Sequence, residues 1–214
     1  MNFEFSDEQR LLRDQARRFL DDNAPPGAAR AVLDDGEISF DRDLWTAIAE
    51  LGWTGVIIPE EYGGAGMIRE DLCVIAEELG RSLAPTPFAS SVYLATEAIL
   101  IAGTEDQKQK FLPQLADGSL IGAFAMAEGP GVPTAERIQT SFSDGRVTGM
   151  KSPILDGDVA DAAIVVAKEG DNGLSLVWVD LNGDGVARRK VETVDPTRSH
   201  AEITFDGAPG VRLG

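Results

Sequence analysis

Apolar residues recur every three or four positions through the first half of the chain, and in short alternating bursts through the second. Leu12, Ala16, Phe19 and Leu20 share a helical face behind Ser6 and Gln9, which have capping-box spacing; the predicted helix fades at Asn23-Ala24-Pro25-Pro26. Leu44, Ala47, Ile48 and Leu51 predict a second helix closed by Gly52. The stretch 55–59 leads into the glycine-rich connection 60–66. A third helix carries Leu72, Ile75, Ala76 and Leu79 and is expected to end with Gly80 in the left-handed conformation. A fourth is expected over 90–102, stopped by Gly103. Thr104 and Gln107 form a second capping box, opening a short helix with Phe111, Leu112 and Leu115 that Pro113 should bend or shorten.

Past Gly118 the pattern shifts to short strand-like runs at 121–126, 146–151, 162–166, 174–179, 188–193 and 201–205. Turn residues separate them: Ser143-Asp144-Gly145, Asp156-Gly157-Asp158, Gly170-Asp171-Asn172-Gly173 and Asn182-Gly183-Asp184-Gly185. Helices followed by strands indicate an α+β chain. The expected architecture is an N-terminal α-helical bundle domain over 1–118 and an antiparallel β-sandwich or barrel-like domain over 119–214.

Composition narrows the function classes. The 214 residues and 43% hydrophobic content suit a globular chain with a real core. The longest apolar runs, 55–59 and 162–167, are far short of a bilayer span, and the acidic start lacks a signal peptide's apolar region, so a cytoplasmic location is expected. With 19 basic and 36 acidic residues the net charge is −17, which argues against nucleic acid or an anionic membrane as partner. A small anionic ligand needs only a few local cations or amides and stays possible. The single cysteine, Cys73, rules out an internal disulfide, and no His or Cys spacing suggests a metal.

Five phrases then carry a resemblance: FSDEQRLLRDQARRFL, LWTAIAELGWTGVIIPEEYGGAG, AEELGRSLAPTPFA, GTEDQKQKFLPQLADGSLIGAFAMAE and SHAEITFDGAPGVRLG. In this order, along essentially the whole chain, they resemble the acyl-CoA dehydrogenase family. The resemblance implies FAD as cofactor, an acyl-CoA thioester as substrate, a role in lipid or steroid catabolism, and a homo- or hetero-oligomer. It also implies a C-terminal four-helix domain, which is expected to lie beyond these residues and to carry the glutamate that removes the α-proton. No catalytic residue is therefore nominated here. The carboxylates Asp34-Asp35, Glu60-Glu61 and Glu77-Glu78 read as solvated charges.

Two stretches match the family's flavin motifs with altered letters. Phe124 to Pro133 aligns with a segment that resembles apolar-Thr-Glu-Pro-x-Ala-Gly-Ser-Asp, in which the Thr and nearby amides meet the flavin and the Ser meets the acyl-CoA. Ala127 stands at the Thr, and Pro133 at the Ser. Thr140 keeps the frame. The second motif resembles Gly-x-Lys-x-Trp-Ile-Thr-Asn-Gly; here Pro153 takes the aromatic position, Ile154 is kept and Leu155 takes the Thr position. The resemblance thus implies cofactor contacts at Phe124, Met126, Ala127, Pro153, Ile154 and Leu155, and a substrate contact at Pro133. The lost aromatic is worth about 0.5–1.5 kcal/mol beyond burial and the lost hydrogen bonds about 1–3 more, together about one to three powers of ten in FAD affinity. Two readings stay open: a flavin held by backbone groups, or a degenerate subunit paired with an intact homologue, as in the family's heteromeric assemblies.

His200 has no paired acid or nucleophile at a suggestive spacing and reads as structural. Cys73 reads as core, and Trp45, Trp53 and Trp178 as core or domain-interface packing. Gly63-Gly64-Ala65-Gly66 has no lysine at phosphate-loop spacing; the family resemblance places it near the acyl pocket.

Overall fold

The computed structural model describes residues 5–170 and 173–214. Six α-helices come first: α1 (Asp7–Asn23), α2 (Pro26–Asp35), α3 (Arg42–Glu50), α4 (Arg69–Ser82), α5 (Glu97–Ala102) and α6 (Glu105–Ala116). Both capping boxes form, at Ser6 with Gln9 and at Thr104 with Gln107. The helix α2 is additional to the sequence expectation. Its Pro26 occupies the first turn, where a missing N–H costs nothing, so the Pro-Pro pair starts a helix rather than only ending one.

Expectations at Gly80, Cys73 and Glu78 need correction; Glu78 is fully buried. Gly80 lies inside α4, which runs on to Ser82, and the left-handed cap is Leu83 at φ 52°. Pro113 sits inside α6 without stopping it short of Ala116. Cys73 is exposed, one step off the face that buries Leu72, Ile75 and Leu79. The segment before α5, Ala89–Thr96, is π-helical and its last residues lead directly into α5. The glycine-rich connection packs back on the preceding turns: Ala65 N–H donates to the Gly55 carbonyl, and a Cβ on Gly64 would lie 2.1 Å from the Ile58 oxygen.

Seven strands follow: β1 (Gly122–Ala125), β2 (Ser141–Ser143), β3 (Arg146–Leu155), β4 (Ala162–Lys168), β5 (Leu174–Asp180), β6 (Val186–Lys190) and β7 (His200–Arg212). The pairings β4–β2, β2–β3, β3–β7, β7–β5 and β5–β4 close a ring, which makes the strand half barrel-like. It is antiparallel except where β4 meets β1 and β2. β4 is buried along most of its length, as a strand covered on both faces must be. The strand expected at 188–193 is shifted to β6, and residues 171–172 of one expected turn lie outside the described residues.

One hydrophobic cluster joins the halves, running from Leu20, Trp45 and Trp53 through Phe88 and Val92 to Val147, Ile154 and Phe205. Trp178 of β5 stacks on Phe111 of α6 with ring centroids 4.0 Å apart. The Trp45 indole N–H donates to the Gly118 carbonyl at 2.9 Å. The strand half is thereby held against the helices.

Candidate functional site

The two altered stretches meet at the end of β1. Ser152 N–H donates to the Ala127 carbonyl at 2.8 Å, and Gly129 N–H donates to the Ser152 carbonyl at 2.7 Å. This bridge sets Glu128 beside Ser152, whose peptide bond to Pro153 is cis. Met126 is 40% exposed, Ala127 half-buried and Pro153 exposed. The backbone N–H groups of Met126 and Ala127 make no hydrogen bond to protein among the described residues.

A buried ion pair fixes this platform from beneath. The Lys151 ammonium, fully buried, donates to Glu128 Oε1 at 2.8 Å and to the Met126 carbonyl at 3.1 Å. Glu128 also accepts from the backbone N–H groups of Gln139 at 2.6 Å and Thr140 at 3.0 Å. Burial alone would raise the Glu128 pKa; the bonds from Lys151, Thr140 and Gln139 outweigh it and hold it at about 2. Burial draws Lys151 below the ordinary lysine value while Glu128 pulls it back up. Gly149 permits the close approach of Thr140: at φ 144°, a Cβ here would lie 2.7 Å from Thr140 Cα. The sequence reading placed both charges in the motifs but gave neither a role. A carboxylate just past β1 and a lysine in the middle of β3 were the available signal.

The remaining expected contacts are dispersed. Phe124 is half-buried on β1 opposite Ile164, and Leu155 is half-buried opposite His200. Ile154 is 1% exposed and packs into the shared core, so its side chain anchors the strand. Pro133 sits apart, half-buried on the 129–134 loop beside Arg137 and Ile138. Just past Leu155, Asp156 is buried at φ 53°; burial pushes its carboxyl up to about 6, against the pull of Ser90 and Arg198. Its Oδ1 accepts from the Ser199 hydroxyl at 3.3 Å, while Oδ2 has no partner among the described residues. His200 is half-buried at the start of β7, its Nδ1 3.2 Å from the Arg198 carbonyl.

Chemically, the platform offers two adjacent amide donors, at Met126 and Ala127, on a backbone held by Ser152 and Lys151. Such donors fit the carbonyl acceptors of a flavin's pyrimidine edge; the proline at 153 cannot supply an aromatic face. Among the described residues no group of three His, Cys, Asp or Glu could hold a metal ion, and no helix is long and apolar enough to cross a membrane.

Comparison with known proteins finds relatives along the chain. Residues 6–119 match the family model for the acyl-CoA dehydrogenase N-terminal domain. The chain is 38% identical to the acyl-CoA dehydrogenase IpdE2 of Mycolicibacterium smegmatis, covering 92% of this chain and 52% of that protein. It is 32% identical to the benzylmalonyl-CoA dehydrogenase of Aromatoleum aromaticum, covering 97% and 56%. The solved ChsE4-ChsE5 complex of Mycobacterium tuberculosis superposes with a TM-score of 0.87 at 27% identity, over 100% of this chain and 58% of the matched one. The chain thus spans about half the length of the curated relatives it matches.

Proposed function

The chain belongs to the acyl-CoA dehydrogenase family, and from that premise we propose that it is a flavoprotein subunit of an oligomer that dehydrogenates an acyl-CoA thioester, its own share of the work being to hold FAD. The observation that carries this reading is the pair of unengaged N–H groups at Met126 and Ala127 on a backbone pinned by Ser152 and Lys151. When bound, the flavin would supply a hydride acceptor for the thioester's β-carbon. The chain's residues supply donors to its pyrimidine edge from Met126 and Ala127, and small apolar surfaces from Pro153 and Leu155. Phe124 and Ile154 brace the two strands that carry them. Pro133, on the loop leaving Glu128, borders the acyl-CoA.

No carboxylate of this chain is assigned as the base. A base for a weakly acidic α-proton needs a desolvated carboxyl poised near neutrality and reachable by substrate. Glu128 is held at about 2 by its partners, and Asp156, at about 6, is enclosed at the junction of the two halves.

A second reading is favoured by the replacements at Ala127, Pro133, Pro153 and Leu155: a non-catalytic subunit that supports an intact homologue, in the manner of a two-protein assembly. The visible spectrum of the purified chain, alone and co-purified with an acyl-CoA dehydrogenase homologue, separates the readings. Stoichiometric FAD in the chain alone supports the first and excludes the second. No FAD taken up in either state contradicts the first.

A further inference from the structure

The peptide that joins Met126 to Ala127 has its carbonyl on the buried lysine and its N–H unengaged. Every described peptide bond except Ser152–Pro153 is trans, so the Met126 carbonyl and the Ala127 N–H point in opposite directions across one planar group. With the ammonium 3.1 Å from the carbonyl oxygen on the buried side, the N–H is aimed away from the Lys151–Glu128 pair. A cation on a peptide oxygen withdraws electron density through the amide and makes its N–H a stronger donor, the same polarisation that runs along hydrogen-bond chains in a low-dielectric interior. Glu128 keeps the lysine charged, and its two backbone donors at Gln139 and Thr140 keep Glu128 in place.

We propose that Lys151 is a positioning residue that acts through the Met126–Ala127 peptide, fixing the direction of the Ala127 N–H and strengthening it as the main donor to the flavin. The proposal rests on the flavoprotein reading above. With alanine at 127, where the family motif has a threonine, the backbone N–H is the donor this residue offers. Polarisation along a hydrogen-bond chain strengthens a bond by about 10–30%, which for one bond is less than about a twofold difference in affinity. Because the donor faces the edge where negative charge gathers on reduction, removing the cation weakens the reduced flavin more than the oxidised one.

The test uses the double variant Glu128→Gln with Lys151→Met, which removes both charges together and leaves no buried ion unpaired. Two properties are read: the FAD dissociation constant with the midpoint potential, and, with no flavin present, the Ala127 amide proton resonance. The expected result is an FAD complex weaker by up to about twofold, a more negative potential and an upfield move of the Ala127 amide proton. In the unaltered chain, where folding is not in question, the Met126 carbonyl carbon should resonate downfield of its neighbours on β1. An ordinary Met126 carbonyl shift, or a folded double variant with unchanged FAD affinity and Ala127 amide, overturns the proposal. Failure of the unaltered protein to bind FAD, alone or with its partner homologue, overturns the flavoprotein reading instead.

Discussion

Glu78, buried, and Glu128, largely buried, are both glutamates in ion pairs, yet they build different things. Glu78, fully buried on α4, is gripped by the Arg17 guanidinium of α1 at 2.7 Å and 3.1 Å and by Arg81 at 2.6 Å. Those arginines are 49% and 38% exposed, so their far sides stay in water. The result is a clasp between two helices, and it corrects the expectation that Glu78 is solvated. Glu128 instead takes two backbone N–H groups and a lysine with no exposure at all, and that lysine holds a third backbone group. One carboxylate orders helices and the other orders the backbone itself. Only the second leaves donors aimed outward, and it lies where the flavin contacts are expected.

The difference can be broken most forcefully at Glu128. Glu128→Gln leaves Lys151 charged, buried and unpaired, and should cost about 3–5 kcal/mol in urea-induced unfolding. A cost below about 1 kcal/mol would mean that water reaches the lysine. Asp156 comes next, as the buried carboxylate with no cation in hydrogen-bonding contact. Its unfolded form takes up a proton near pH 4 and its folded form near pH 6, so the folded state binds more protons between them and stability falls as pH rises through that window. The fall is about 3 kcal/mol, and Asp156→Asn should abolish it, so that the variant is more stable than the parent at pH 7.5 and equal to it at pH 4. Melting temperatures measured across that range decide the matter; a parent whose stability rises from pH 4 to 7 through this group contradicts the assignment.

The smallest effect belongs to Glu78. Glu78→Gln lets both arginines turn to solvent and keeps a polar group in the pocket, so about 1–2 kcal/mol is expected in the same urea experiment. Were Glu78→Gln as costly as Glu128→Gln, the contrast between the two carboxylates would collapse.

Much of this was legible in the sequence, for physical reasons. Capping boxes are local, and both form as read. Period and turn residues revealed the strand half, but not that β5 returns to β4 and closes the ring, which is a long-range pairing. Pro25-Pro26 was ambiguous because proline both ends and begins helices. Gly80 misled because tertiary packing held the helix for two more residues and forced Leu83 into the left-handed turn. In the site, the altered letters at Ala127, Pro133, Pro153 and Leu155 were plain. The pair that organises the site was not: Glu128 and Lys151 are 23 residues apart, and only the fold brings them together.

The Met126 and Ala127 N–H groups are the proposed flavin donors. Titration of the isotopically labelled chain with FAD, alone and with an acyl-CoA dehydrogenase homologue, tests that assignment most directly. The amide resonances of Met126 and Ala127 should move first and furthest, saturating together with the flavin absorbance change. Flavin bound stoichiometrically with those two amides unmoved, or no binding in any assembly, would contradict it.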